Sequence, residues 1–369
     1  MGQADAAFSC PRHSLDNELS REAILFDRLE GNRVQCHVCQ WECRIQDGRY
    51  GVCGTRLNER GILYTLIYGE VSSINADPIE KKPLFHFFPT SRVLSLGSWG
   101  CNFHCKHCQN WQISYARRSN GGWAVQGGRS ERGQWIAPEE AVALARRHRC
   151  AGISWTYNEP GIWLEYTLDT ARLAHQAGLY TAYVTNGFVT EAALDTIGPH
   201  LDAYRVDIKG FGDDPYRKLS GIQEAKGILR VAERAKHHWG MHVEVVTNIV
   251  PTINDDPEQL RSIARWIRDA LGPKTPWHVT RFFPHADMSH LPPTPIDTIL
   301  SARRIGLEEG LCFVYGGNMV ADGVENTVCP KCGALAIRRS GFNAEMRGVA
   351  TGGLCSRCGE DLNIRGIGS

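Results

Sequence analysis

The stretch Val93-Leu94-Ser95-Leu96-Gly97-Ser98-Trp99-Gly100-Cys101-Asn102-Phe103-His104-Cys105-Lys106-His107-Cys108 decides the fold. Its first four residues read as a short buried strand bounded by glycine, and three cysteines spaced C-x3-C-x2-C follow on the next loop. Downstream, apolar runs rich in β-branched and aromatic residues alternate with helical patterns, as repeated βα units of a parallel sheet do. Strands are expected at Val93–Leu96, Gly152–Thr156, Tyr180–Val184, Ala203–Ile208, Val243–Ile249 and His278–Phe283. Leu260, Ile263, Ala264, Ile267 and Leu271 make one helical stripe; Ile228, Val231, Ala232 and Ala235 make a weaker one. Pro138 suits the first turn of a further helix.

Six such units are too few for a closed eight-strand barrel but enough for an open, partial one. Parallel βα architectures carry their chemistry at the C-terminal ends of the strands. Polar groups recur at those ends here: the cysteine triad, Tyr157-Asn158-Glu159, Thr185-Asn186, Asp207 with Lys209, Asn248 with Asn254, and Arg281. If the units are assigned correctly, all of them face one rim.

Working outward, residues 1–19 read as a loose N-terminus, 20–90 as a four-Cys metal-binding region, 91–318 as the partial barrel and 319–369 as a zinc ribbon. Ser20 is placed to cap a short helix carrying Leu25, Phe26 and Leu29 and ending at Gly31. Residues 117–134, polar and Gly-rich, read as a mobile loop. The expected class is therefore α/β: a partial (β/α)6 TIM-like barrel flanked by an N-terminal four-Cys domain and a C-terminal ribbon.

Fourteen cysteines in 369 residues are too few for a disulfide scaffold and are clustered. Only Cys10, Cys150 and Cys312 stand apart, reading as small buried or tail residues. Tight C-x-x-C groups in a chain without a visible secretory signal read as metal ligands. Cys101, Cys105 and Cys108 supply three thiolates where a cubane iron–sulfur cluster normally takes four, which leaves one iron open to a substrate or cofactor. A zinc site completed by His104 or His107 is the alternative that spacing alone allows.

This triad, on the loop after the first strand of a βα array, resembles that of the radical S-adenosylmethionine (SAM) superfamily. The resemblance implies a [4Fe-4S] cluster whose open iron is chelated by SAM. Reductive cleavage of SAM would then give a 5′-deoxyadenosyl radical that abstracts hydrogen from a substrate. Tyr157-Asn158-Glu159-Pro160 stands where many members carry Gly-Gly-Glu-Pro, which carries the SAM amino group over to Glu159 and places Asn158 beside it. Thr185-Asn186-Gly187 resembles a segment near the ribose, with Val184 replacing the Asp that often precedes it. Asp207-Ile208-Lys209 resembles the run whose Lys reaches the SAM carboxylate, and Pro276-Trp277-His278 the segment whose His approaches the ribose. Val250-Pro251 with Asn254 and Asp255 resembles the turn beside the adenine, with Asn248 at the preceding strand end, while His107 replaces the usual aromatic before the third cysteine.

Asp77-Pro78-Ile79-Glu80-Lys81-Lys82-Pro83-Leu84-Phe85-His86, Cys108-Gln109-Asn110-Trp111 and Tyr315-Gly316-Gly317-Asn318 resemble the radical SAM component of the AmmeMemoRadiSam system, akin to pyruvate formate-lyase activating enzymes. That resemblance implies Memo-like and AMMECR-like partners and an electron donor such as flavodoxin or ferredoxin. It leaves the substrate open, with Arg281, Tyr315 and Asn318 as candidate substrate-side residues and Arg281 assigned to catalysis.

Cys329, Cys332, Cys355 and Cys358 form two C-x-x-C-Gly knuckles, a zinc-ribbon pattern. Cys36, Cys39, Cys43 and Cys53 offer another four-thiolate shell, for zinc or an auxiliary iron–sulfur cluster; the absence of a leftover ligand favours structural zinc. Lys plus Arg is 41 and Asp plus Glu 40, so the net charge of +1 argues against a chain built to neutralise phosphates. No apolar stretch approaches the ~18 residues of a membrane span, and Ala6 spoils a lipidation motif at Gly2, so the cytoplasm is the default. Two rival functions remain at this stage: a glycyl-radical-enzyme activase, and a non-catalytic module binding RNA or protein through its ribbon.

Overall fold

A computed structural model describes residues 20–119, 122–124, 130–131 and 133–368. The loose N-terminus expected over 1–19, with Cys10, lies outside the described residues.

The central feature is an eight-stranded sheet in strict chain order: β1 (Ser73–Pro78), β2 (Arg92–Gly97), β3 (Gly152–Trp155), β4 (Tyr180–Thr185), β5 (Ala203–Asp207), β6 (His242–Ile249), β7 (Trp277–Arg281) and β8 (Val314–Gly317). Strands β2 to β8 are parallel, and β1 pairs antiparallel with β2. Both ends of the sheet are edges, so it is open. Every residue of β3 is buried and all but one of β6, which is why these strands read as nearly unbroken apolar runs. Helices make the crossovers. In the helix Pro257–Trp266, the Asp256 carboxylate accepts from the Glu258 and Gln259 amides, and the apolar stripe from Leu260 to Leu271 is buried.

The structure departs from the sequence reading in four places. A seventh parallel strand, β8, follows the six expected; two of its four residues are glycine, which hides the strand pattern. The helix expected after Ser20 is absent. Leu25 has φ +57°, and Phe26–Leu29 is instead a strand paired with Arg33–Cys36 across a three-residue turn in which Gly31 and Asn32 take positive φ. Within 117–134, the described residues form short strands, Arg117–Ser119, Gly122–Ala124 and Ser130–Glu131 in one ribbon, while Gln134–Trp135 pairs with Glu70–Val71. The sheet also begins at Ser73, upstream of residue 91.

Two buried carboxylates hold the flanking parts to the sheet. Glu165 makes a paired bond with the Arg56 guanidinium (2.9 and 2.8 Å) and accepts from the Ile24 amide, fixing the N-terminal strands to the helix Leu164–Gln176. Glu244 on β6 accepts from the amides of Phe85 and His86 and from His242 and His278. Burial opposes the Glu244 charge, but the two imidazoles hold its carboxyl well below the usual range. Beyond it, Phe85, Phe313 and Tyr315 share an apolar cluster with Ala336, Ile337 and Leu362, which docks the C-terminal hairpin on the sheet.

Replacing Glu244 would strand four donors at once. Glu244→Ala is expected to cost about 3–5 kcal/mol of stability, as breaking a buried charged network does. The urea midpoint followed by tryptophan fluorescence measures this, and a loss below ~1 kcal/mol would contradict so central a role.

Candidate active site

A cavity of about 780 Å³ opens at the C-terminal ends of the parallel strands. This is within the ~300–1,000 Å³ usual for small-molecule sites. Cys101, Cys105, Cys108, His107, Asn158, Glu159, Thr185, Asn186, Asp207, Lys209, Asn248, His278 and Arg281 all line it, as do Tyr315 and Asn318. Asn254 does not. It is fully buried, bonding the Val250 amide and the Lys209 and Asn248 carbonyls, and so ties the loops behind the wall.

The triad loop is fixed from several sides. Asn158 donates to the Gly100 carbonyl (2.8 Å) and accepts from the Ser98 amide, pinning the backbone that enters Cys101. The Cys105 sulfur lies 3.1 Å from the Ser220 hydroxyl, and Tyr115 donates to the Cys105 carbonyl. Burial raises the thiols of Cys101, Cys105 and Cys108, the last to about 11, so a bound metal would have to displace their protons. Neither histidine closes the site. His104 is exposed and stacks on Tyr115, and among the described residues no imidazole or carboxylate joins these thiols within 4.8 Å. His107 is buried with its Nδ1 unpartnered, and burial lowers its pKa to about 3, so the ring is neutral.

Glu159 caps the short helical turn Pro160–Trp163 and also lines the cavity. Its carboxylate accepts from the Gly161 amide (2.8 Å), the Thr185 hydroxyl (2.7 Å) and the Asn186 amide (2.8 Å). Burial outweighs these bonds and raises its pKa to about 7. Asn186 in turn donates to Asn102 Oδ1 at 2.8 Å, next to Cys101. Asp207 sits between Arg205 and Lys209; burial opposes its charge, but the two cations hold its carboxyl below the usual range. His278 commits Nε2 to Glu244, and Asn248 commits its amide to Thr280 and Arg281. Arg281 itself donates to the Thr294 carbonyl.

The backbone explains the glycines missing before Glu159. Tyr157 takes φ +74°, a conformation rare for a bulky residue, and its hydroxyl is held by Asp77 and Asn75. Gly97 makes room, since a Cβ there would meet the Tyr157 ring at 2.8 Å. Arg205, Glu325 and Phe342, which the sequence did not single out, also form the wall, as does Lys82 from the Asp77–His86 segment. Lys82 is buried against Asp77, and burial lowers its pKa to about 8. The signal for Arg205 was present, since it shares a strand face with Asp207 by period-two alternation.

Residues 98–267 match the Radical SAM superfamily. The chain is 41% identical over 345 residues to an uncharacterized protein, MJ0808, of Methanocaldococcus jannaschii, covering 93% of this chain and 99% of that one. It is 25% identical over 176 residues to the pyruvate formate-lyase-activating enzyme of Clostridium pasteurianum, covering 46% of this chain and 67% of the relative. Among solved structures, a radical SAM methyltransferase from Sphaerobacter thermophilus superposes with a TM-score of 0.47 at 15% identity, over 64% of this chain and 69% of that one.

A pH signature follows from Glu159. Its folded pKa, about 7, lies above the usual 4.5, so the folded state keeps a proton across that window that the unfolded chain has lost. Stability therefore falls as pH rises through the window, by about 3 kcal/mol for this group. Glu159→Gln lacks that dependence. Chemical denaturation without SAM at several pH values should show the variant gaining on the wild type by that amount; parallel curves would refute it.

Proposed function

Because the chain belongs to the radical SAM superfamily, and so is an enzyme, we propose that its cavity binds a [4Fe-4S] cluster on Cys101, Cys105 and Cys108, with SAM beside it. The observation that carries this reading is that the three thiols of the triad line one cavity together with Glu159 and Lys209. The unpartnered buried His107 Nδ1 in the same wall also suits a polar ligand. When bound, cluster and SAM supply one electron and a carbon radical that abstracts hydrogen.

The chain's own residues bind and orient. Glu159 would accept from an ammonium group, and Lys209, charged beside Asp207, would donate to a carboxylate. Thr185, Asn186, Asn158 and Asn248 would hold the remainder through groups already fixed by their neighbours. The ring of His278, oriented by Glu244, and the neutral ring of His107 offer flat faces for a nucleoside. Arg281, Tyr315 and Asn318 lie on the wall left for substrate. We read the open, sequentially ordered sheet as a partial barrel around this cavity.

The C-terminal quartet is assigned to structural zinc. Its ligand atoms lie within 4.8 Å of one another, and two sulfur pairs stand 3.6 and 3.7 Å apart. A tetrahedral shell with Zn–S of about 2.3 Å has edges of about 3.8 Å. The extended motifs support a place in the AmmeMemoRadiSam system, with Memo-like and AMMECR-like partners, a flavodoxin or ferredoxin as donor, and the cytoplasm as compartment. No helix of the described residues is long and apolar enough to cross a membrane. The relatives named as activases favour glycyl-radical activation as a second reading. A backbone radical seen by electron paramagnetic resonance (EPR) on a co-expressed partner would promote it.

Anaerobic incubation with SAM and dithionite should yield 5′-deoxyadenosine, and Cys105→Ala should yield none. Lys209→Met should weaken SAM binding roughly 10- to 100-fold, as loss of a charged hydrogen bond does. A protein with its full complement of iron that forms no 5′-deoxyadenosine overturns the reading.

Substituting Cys332→Ser should remove one equivalent of zinc and expose the hairpin Leu335–Ser340/Asn343–Met346 to limited proteolysis. Unchanged zinc would refute the assignment.

A further inference from the structure

The three cysteine groups differ in a quantity the sequence does not carry, the spacing of their sulfurs. Among the described residues, the C-terminal quartet is the one group whose ligand atoms all fall within 4.8 Å. The triad does not, and neither does the N-terminal quartet. A single zinc ion draws its thiolates to tetrahedral edges, whereas a cubane, with each thiolate on a different iron, holds them much further apart. We propose that Cys36, Cys39, Cys43 and Cys53 hold a second iron–sulfur cluster of the four-iron class, in place of the zinc that the sequence favours.

The four thiols nevertheless converge. All are free, and three of them are buried. The sulfurs of Cys43 and Cys53 stand 3.8 and 3.9 Å from one point, the position a Cβ would take on Gly51. The Cys36 amide donates to the Cys43 carbonyl at 3.0 Å, closing the loop that carries the first three cysteines. Thr55 donates to the Cys53 sulfur at 3.2 Å. Arg56, buried three residues beyond Cys53, keeps one donor free: Nη1 and Nη2 are taken by Glu165 and the Ile162 carbonyl, while Nε has no partner. A buried N–H left unpaired beside thiolates is what the sulfur atoms of a cluster would satisfy.

The placement also gives the site a use. The loop carrying the quartet packs directly on the triad loop: Trp41 donates to the Asn102 carbonyl, and a Cβ on Gly100 would meet the Cys53 carbonyl oxygen at 2.7 Å. Cys39 bridges Val189, just beyond Asn186. A shell closed by four thiolates has no open iron for substrate, so its role is to take one electron from a low-potential one-electron donor protein and pass it to the triad's cluster. No bond forms or breaks and no proton moves. The recipient rests on the reading of the triad given above; the second site does not.

Metal analysis of anaerobically purified full-length protein tests both separately. In Cys101→Ala/Cys105→Ala/Cys108→Ala, iron and sulfide should fall twofold rather than to zero, and the reduced protein should keep an EPR signal that SAM does not perturb. In Cys36→Ala/Cys39→Ala/Cys43→Ala/Cys53→Ala they should also fall twofold, leaving a signal that SAM does perturb. A triad variant devoid of iron, with zinc above a single equivalent per chain, overturns the proposal, and this arm decides even if the quartet variant fails to fold. Iron untouched by the triad substitutions but abolished by the quartet substitutions would uphold the second cluster while sinking the SAM reading.

Discussion

A carboxylate without water around it sets the geometry of the cavity. Glu159 is almost wholly buried, and its three donors come from two different segments: Gly161 on its own loop, and Thr185 and Asn186 where β4 ends. Asn186 then reaches Asn102 beside the first cysteine, while Asn158, the neighbour of Glu159, grips the backbone at Gly100. Three loops that share no chain continuity are thereby locked into one arrangement. The cost of burying the charge, visible in the raised pKa, is offset by those bonds and would be relieved by a cation arriving from the cavity. A site strained towards a positive ligand before that ligand binds is preorganised for it.

The opposite side of the cavity is built by a different route. Tyr315 on β8 places its hydroxyl between His86 and Thr327, and Arg339 on the C-terminal hairpin bonds Thr327 and the Phe85 carbonyl while its guanidinium lies over the Phe85 ring. The hairpin is therefore wired into the sheet through buried polar groups as well as the apolar cluster. Glu325 and Phe342 from this region reach the cavity wall. The C-terminal unit thus forms part of the cavity wall, and a ribbon acting purely as a detachable binding module would have no need of such anchoring.

How much of this could be read from the chain follows the range of the forces involved. The parallel strands were legible because burial on both faces leaves continuous apolar runs, and the rim residues because parallel strands deliver every C-terminal loop to one side. β8 was not, since Val-Tyr-Gly-Gly carries too little side chain to signal a strand; only its pairing with β7 reveals it. The segment after Ser20 misled because three apolar residues fit either period, and the positive φ values of the Gly31-Asn32 turn outweigh the local helix pattern. Glu244 accepts from Phe85, His86 and His278, residues far away in sequence, and Arg339 bonds the Phe85 carbonyl from the C-terminal hairpin. Their roles depend on contacts that no local spacing encodes.

Cysteine spacing in the sequence is also a weaker guide than cysteine spacing in space, and the backbone shows why. Each C-terminal knuckle ends in glycine at positive φ, Gly333 at +70° and Gly359 at +72°, whose amides fold back onto the Cys329 and Cys355 carbonyls. That tight left-handed turn draws the sulfurs of a C-x-x-C pair together, and the two pairs bring all four within 4.8 Å of one another. The N-terminal C-x-x-C is followed by Gln40, and its chain turns through Glu42 at φ +41° before Cys43. Cys108 is followed by Gln109, and its amide bonds the Cys105 carbonyl without a glycine to complete the knuckle. Without that residue, neither group gathers three of its ligand atoms within 4.8 Å of one another. A glycine one position after the cysteine pair therefore marks the one quartet, among the described residues, whose ligand atoms all gather within 4.8 Å, because it decides whether the backbone can curl tightly enough to bring the sulfurs together.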